Sequence, residues 1–211
     1  MDEALVPDVV TYSSLIGGLC KVGRTRHAQD LLHEMQAGEI LPNIQTYAVL
    51  LDGLCKNGQL EEAMVLFQYM MYKKLPVDIV IYSILIGAMC KAGDLEAAKD
   101  LFFSLALKGL KPDVQTYTIM IDGLLRRGRI DEASPLFREM EENGCPPNSC
   151  TYNTMIRGYI HDQNLSRAVQ LTHEMVGKGF CADASTAELF IDLISEGKLD
   201  SSLQLLIHKD S

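Results

Sequence analysis

The chain has no tryptophan, only five histidines, and only seven prolines in 211 residues. No run of eighteen apolar residues occurs, so no segment is suited to cross a bilayer as a helix. Basic residues are outnumbered, 19 Lys and Arg against 28 Asp and Glu, for a net charge of -9. That balance excludes a uniformly basic nucleic-acid coat but leaves room for a local basic strip. The opening MDEALVPD is short and acidic, unlike a secretory signal or an Arg-rich, acid-poor transit peptide. No H-E-x-x-H, G-x-S-x-G, P-loop or G-x-G-x-x-G is present, so the chain is expected to be non-enzymatic and to need no cofactor. Six cysteines without a signal peptide read as reduced thiols. Cys145, Cys150 and Cys181, with His161 near them, match no zinc spacing. His27, His33 and His173 are expected on polar helix faces.

What the chain has in quantity is a repeat. Tyr12, Tyr47, Tyr82, Tyr117 and Tyr152 are spaced by 35 residues, and so are Ala28, Ala63, Ala98, Ala133 and Ala168. A fixed period of this length is the signature of a solenoid. The units run 9–43, 44–78, 79–113, 114–148 and 149–183. In the first, Tyr12, Leu15, Ile16, Leu19 and Cys20 recur at i, i+3, i+4, i+7 and i+8, the apolar stripe of one helix. Asp8 suits its N-cap and Gly23 a left-handed stop. A second helix carries Ala28, Leu31, Leu32 and Met35, then breaks at Gly38 and Pro42. In the fourth unit, Pro135 is expected near the first turn of the second helix, where its missing N–H costs little. Cys20, Cys55 and Cys90 fall on the core stripe and read as small buried apolar residues.

One helical hairpin cannot bury both stripes, so neighbours must stack. The expected fold is all-α, a right-handed α-solenoid of stacked antiparallel helix hairpins. Residues 1–8 read as the tail of a preceding unit. Residues 184–211 read as a degenerate closing hairpin, with Ala187 in the tyrosine row and Ser201, Ser202, His208 and Lys209 facing water.

The unit VVTYSSLIGGLCKVGRTRHAQDLLHEMQAGEILPN, with T-Y near its start, L-C-K-x-G in its middle and P-D or P-N at its end, resembles the pentatricopeptide repeat. The tetratricopeptide repeat is the near competitor, but it runs 34 residues and uses a tryptophan. The resemblance implies sequence-specific binding of single-stranded RNA, one base per repeat. It further implies that the residue after the tyrosine and the last residue of the unit select the base. Those pairs are Ser13/Asn43, Ala48/Asp78, Ser83/Asp113, Thr118/Asn148 and Asn153/Asp183. By similarity to the family's code they imply 5′-A-N-G-A-U-3′, with Ala48 leaving the second base unassigned. The second residue of each unit, Val10, Gln45, Val80, Gln115 and Cys150, would pack on base faces; Gln45, Gln115 and Cys150 depart from the family's aliphatic habit. LIGGLCKVGR and LIDGLCKNGQLEEA look similar to the plant fertility-restorer branch, which implies organellar transcripts and RNA processing, stability or translation. Mitochondrial location is the expectation by resemblance, with chloroplast or cytoplasm as alternatives.

At about 100° per residue, Val10, Ser13, Gly17 and Lys21 form a stripe opposite the core. Its counterparts are Gln45, Ala48, Asp52, Lys56; Val80, Ser83, Gly87, Lys91; Gln115, Thr118, Asp122, Arg126; and Cys150, Asn153, Arg157, His161. The five first-helix segments sum to +3 and the remainder of the chain to -12, so a mildly basic strip lies on an acidic body. Lys21, Lys56, Lys91 and Arg126 are the expected phosphate contacts, although cations at a helix C-terminus are also favoured by the dipole alone. Asn43, Asp78, Asp113, Asn148 and Asp183 are equally suited to plain helix capping. The competing expectation is a helical-repeat scaffold for a protein partner without RNA binding. Neither a membrane nor duplex DNA is expected as a partner.

Overall fold

The computed structural model describes residues 7–200, and among them it contains eleven helices. Six begin at the same phase of the repeat: α1 (Val9–Lys21), α3 (Ile44–Lys56), α5 (Ile79–Ala92), α7 (Val114–Arg126), α9 (Ser149–His161) and α11 (Ala184–Ser195). Each starts because an Asx residue in extended backbone precedes it. Asp8, Asn43, Asp113, Asn148 and Asp183 each accept the N–H three residues on, and Asp78 accepts those of Val80 and Ile81. The intervening helices are α2 (Thr25–Ala37), α4 (Leu60–Tyr72), α6 (Leu95–Leu107), α8 (Ile130–Glu142) and α10 (Leu165–Gly177). The turn inside each hairpin needs a left-handed residue, supplied by Gly23, Gly58, Gly93 and Gly128; in the fifth hairpin Gln163 adopts it at φ 58.

The chain divides into two compact units, Met1–Lys111 and Pro112–Ser211. In the first, α1 packs on α2 and α3, α3 on α4 and α5, and α5 on α6. In the second, α7 packs on α8 and α9, and α9 on α10 and α11. Each unit is thus built of antiparallel hairpins stacked through their first helices, the fold class of the α-solenoid.

The small-residue row explains how close the hairpins come. Ala28, Ala63, Ala98, Ala133 and Ala168 are fully buried, as are Met35, Met70, Met140 and Met175. The tyrosine row is buried too, and in two places a phenylalanine of the preceding second helix meets it edge-on: Phe67–Tyr82 at 5.5 Å and Phe137–Tyr152 at 5.3 Å. Between first helices, a Cβ added at Gly53 would lie 2.3 Å from the Cys20 Sγ, and one at Gly158 would lie 2.6 Å from a Leu125 methyl. Side chains larger than hydrogen cannot enter there without moving the neighbour.

Three expectations change. Leu15 is 52% exposed and Leu19 half-buried, because among the described residues no helix covers that face of α1; the equivalent Leu50, Leu85 and Met120 are buried. Pro135 sits at the sixth position of α8, beyond the first turn, so its missing N–H removes an interior hydrogen bond. Cys20 and Cys90 are buried but Cys55 is half-buried. Of the closing segment, α11 is one residue shorter than its counterparts in four of the five repeats and is followed by Gly197 at φ 71. Ser201, Ser202, His208 and Lys209 lie outside the described residues, as do residues 1–6 of the proposed leading tail.

Candidate functional site

The stripe opposite the core is open at its expected base-packing and cation rows, whereas Ser83 and Asn153 on it are buried, at 6% and 1% exposure. Val10 and Val80 are 66% and 54% exposed, and Gln45, Gln115 and Cys150 are exposed. In the first unit a groove of about 870 Å³ runs between α1 and α3, with Val10, Ser13, Lys21, Asn43, Gln45 and Lys56 among its lining residues. The residues expected to pack, read and hold a ligand in the first repeat therefore share one concavity. His27, His33 and His173 are exposed on the second helices, away from it.

Capping decides what the Asx residues can offer. Asn43 Oδ1 accepts the Thr46 N–H at 2.9 Å and Asn148 Oδ1 that of Thr151 at 3.0 Å. Only a carbonyl oxygen can accept an N–H, so the orientation of each amide is fixed and its Nδ2 is the remaining polar atom. Among the described residues neither Nδ2 has a partner. Asp78 and Asp113 likewise cap through Oδ1, to Val80 at 3.1 Å and Thr116 at 2.7 Å, and keep Oδ2. One joint thus presents a donor and another an acceptor, on the same backbone.

The hydroxyl partners are tied to the caps by a residue that the sequence reading passed over. Ser13 Oγ lies 2.7 Å from the Val9 carbonyl and 2.9 Å from Thr46 Oγ1, which in turn lies 3.1 Å from Asn43 Oδ1. In the second unit Thr118 Oγ1 meets Thr151 Oγ1 at 2.8 Å, and Thr151 Oγ1 meets Asn148 Oδ1 at 3.0 Å. Thr46 and Thr151 therefore hold these two expected pairs, Ser13/Asn43 and Thr118/Asn148, each as one network. The signal was present in the T of the T-Y row. That row reads Ile81 in the unit following Ala48, where there is no hydroxyl to bridge.

The cation row is not uniform. Lys56 Nζ lies 2.6 Å from Asp52 Oδ2, and Arg126 Nε 2.7 Å from Asp122 Oδ2, both as i, i+4 pairs on the groove stripe. The Asp122 carboxylate raises the Arg126 pKa further. Lys21 and Lys91 have Gly17 and Gly87 four residues back, and among the described residues no carboxylate pairs with either. The four expected phosphate contacts thus fall into two open cations and two already compensated.

The fifth pair is unlike the others. Asn153 is 1% exposed; its Nδ2 donates to the carbonyls of Ser149 (2.8 Å) and Cys181 (3.1 Å), and its Oδ1 accepts the Asp183 N–H at 2.9 Å. Asp183 caps Thr186 through Oδ1 and meets Arg157 Nη1 at 2.7 Å through Oδ2. Burial pushes the Asp183 carboxyl up, but Arg157 and Thr186 outweigh it and hold its pKa below the ordinary value. Among the described residues no group of His, Cys, Asp and Glu could hold a metal ion.

The pattern of the PPR repeat family matches residues 7–56, 77–126, 119–161 and 147–194, and that of the PPR repeat matches residues 45–75. No curated protein matches the chain significantly. Among solved structures it is similar to the pentatricopeptide repeat protein PPR10 in complex with an 18-nt psaJ RNA element, with 24% identity and a TM-score of 0.80 over 96% of this chain. The pentatricopeptide repeat protein PPR10 from maize gives a TM-score of 0.69 at 24% identity over 97% of this chain. The PPR domain of Arabidopsis thaliana protein-only RNase P 1, in complex with tRNA, gives 0.68 at 17% identity over 86% of this chain and 96% of that domain. The chain spans about 31% of the PPR10 chain in the RNA complex and 29% of the maize one.

Proposed function

The chain belongs to the pentatricopeptide repeat family, and from that premise we propose that it binds single-stranded RNA along its first helices, reading one base per repeat. The observation that carries this reading is the capped Asx residue. Asn43 and Asn148 leave a donor, which suits the acceptor on adenine's pairing edge; Asp113 leaves an acceptor, which suits the N–H of guanine's. The hydrogen-bonding chemistry at these joints therefore agrees with the implied A, G and A at bases one, three and four. At base two Ala48 offers nothing and Asp78 alone leaves an acceptor. The code's U at base five would fall to Asn153 and Asp183.

Exposed Val10 and Val80 offer apolar faces on which a base can rest, and Gln45 and Gln115 offer flat amides. Similarity in fold to PPR10 and to the RNase P domain, whose structures contain RNA, supports the ligand class. We further propose that the chain acts as a non-enzymatic binder on organellar, chiefly mitochondrial, transcripts, as the repeat's resemblance to fertility-restorer members suggests.

A second reading, a protein scaffold, draws on exposed apolar side chains of the second helices, Val65 and Tyr72 on α4 and Phe103 and Leu107 on α6. The deciding experiment titrates labelled oligonucleotides that vary only the third base against the wild type and Ser83→Asn, with Asp113 retained. The code predicts a move from G towards U. An unchanged preference, or no binding to any oligonucleotide, leaves the scaffold.

A further inference from the structure

Resting on the RNA-binding reading, we infer that the fifth reading pair is held shut by Arg157, so that the folded protein discriminates at bases one and four and is blind at base five. The row that contains Arg157 reads Gly17, Asp52, Gly87 and Asp122 in the other repeats. A glycine leaves the cap untouched, and an aspartate turns to the cation four residues on. Only in the fifth repeat does a cation stand there, half-buried, reaching from α9 to the start of α11. It meets Asp183 Oδ2 at 2.7 Å and Thr186 Oγ1 at 3.0 Å, so the one carboxylate oxygen that capping leaves over is already neutralised.

Asn153 closes the other half. Both Nδ2 protons and the Oδ1 are satisfied by Ser149, Cys181 and Asp183, mostly by backbone groups of the segment that joins the repeats. To reach a base it would have to give up its part-buried bonds to the Asp183 N–H and the Cys181 carbonyl, the latter keeping only the longer bond from Ser149 Oγ among the described residues, and exchanging such bonds for one to a base gains little. Ser13 and Thr118 are not so confined: both are half-buried and reach their caps through a threonine hydroxyl that can rotate. The sequence code assigns U to this pair from residue types alone. The geometry assigns it no free edge atom, and Arg157 is the positioning residue that sets this limit.

The test compares four labelled oligonucleotides that differ only at base five with four that differ only at base four. Wild-type affinities are expected to agree within about twofold across the first set and to spread by about fivefold or more across the second. Arg157→Ala frees Asp183 Oδ2, so U and G, which carry a ring N–H at the centre of the pairing edge where A and C carry an acceptor, are expected to gain about fivefold over A and C at base five. A readout without RNA accompanies this: the Asn153 side-chain amide protons should exchange far more slowly than those of Asn43 and Asn148, in wild type and variant alike. Wild-type discrimination at base five equal to that at base four, no gain in Arg157→Ala, or fast exchange at Asn153 overturns the inference and leaves the RNA reading standing. A flat response at every base overturns the RNA reading and this inference with it.

Discussion

Replacing Asp52 with Asn should strengthen RNA binding and steepen its dependence on salt. Asp52 and Lys56 line the groove of the first unit at 2.6 Å from each other, with side chains 36% and 66% exposed. A pair so exposed contributes about 0–1 kcal/mol to stability, so losing it should leave folding nearly unchanged. Its effect on a bound strand is larger. For a phosphate about 7 Å from the carboxylate, at an effective dielectric of roughly 60, the repulsion removed is about 0.8 kcal/mol, or about fourfold in affinity. A single strand gives a log–log salt slope of about -0.7 per phosphate neutralised. With only Lys21 and Lys91 open the wild-type slope should be about -1.4, about a sevenfold loss between 50 and 200 mM salt. Asp52→Asn should bring it to about -2.1 and the double variant with Asp122→Asn to about -2.8. Fluorescence anisotropy of one labelled oligonucleotide across that range reads both quantities. A wild-type slope already near -2.8 and unmoved by the substitutions would show that the ion pairs open on binding at no cost. Weaker binding by Asp52→Asn would show the carboxylate contacting a base.

Gly53→Ala should destabilise the first unit by about 1–3 kcal/mol, because its Cβ would sit 2.4 Å from the Cys20 Cβ, whereas Gly18→Ala, with nothing within 4 Å, should stabilise it by about 0.5–1 kcal/mol. Thermal melts of the two variants should therefore move in opposite directions. Thr46→Val keeps the helix start shape but cuts the Ser13–Thr46–Asn43 network, so base-one selectivity should fall by about fivefold or more while base three is unaffected, as oligonucleotide titrations would read. Burial, reinforced by the Asp52 charge and opposed by Lys91, pushes the Cys55 thiol up to about 11. Because that exceeds the unfolded value, Cys55 contributes stability fully present below about pH 9 and lost as pH rises towards 11. At pH 8 a thiol reagent should label exposed Cys150 well before Cys55 or Cys20, as mass spectrometry of timed samples would show.

The architecture was legible because it repeats. A period of 35 with tyrosine and alanine in fixed rows leaves stacked hairpins as the way to bury both stripes, and the helices α1, α3, α5, α7, α9 and α11 begin at that interval. The Asx residues were also readable as caps, and the geometry bears out the capping through one side-chain oxygen, leaving the second polar atom for the proposed reading role. Asp52 and Asp122 could have been read from the sequence, since a carboxylate four residues before a cation on one helix face pairs with it. Asn153 could not. Its burial depends on where the Cys181–Asp183 backbone passes, a contact 28 to 30 residues away in the chain that periodicity does not encode. The place of Pro135 was missed by a turn because its helix begins at Ile130, without a side-chain cap to mark the boundary.

The capped joints have a consequence for how such a protein changes over generations. Asn and Asp start a helix about equally well, so on the proposed reading exchanging them would alter which letter a module accepts while leaving the scaffold's stability almost untouched. Their codons differ by one nucleotide. On that reading new targets would be reachable by single steps through fully folded ancestors, and the alphabet could drift without the solenoid being put at risk.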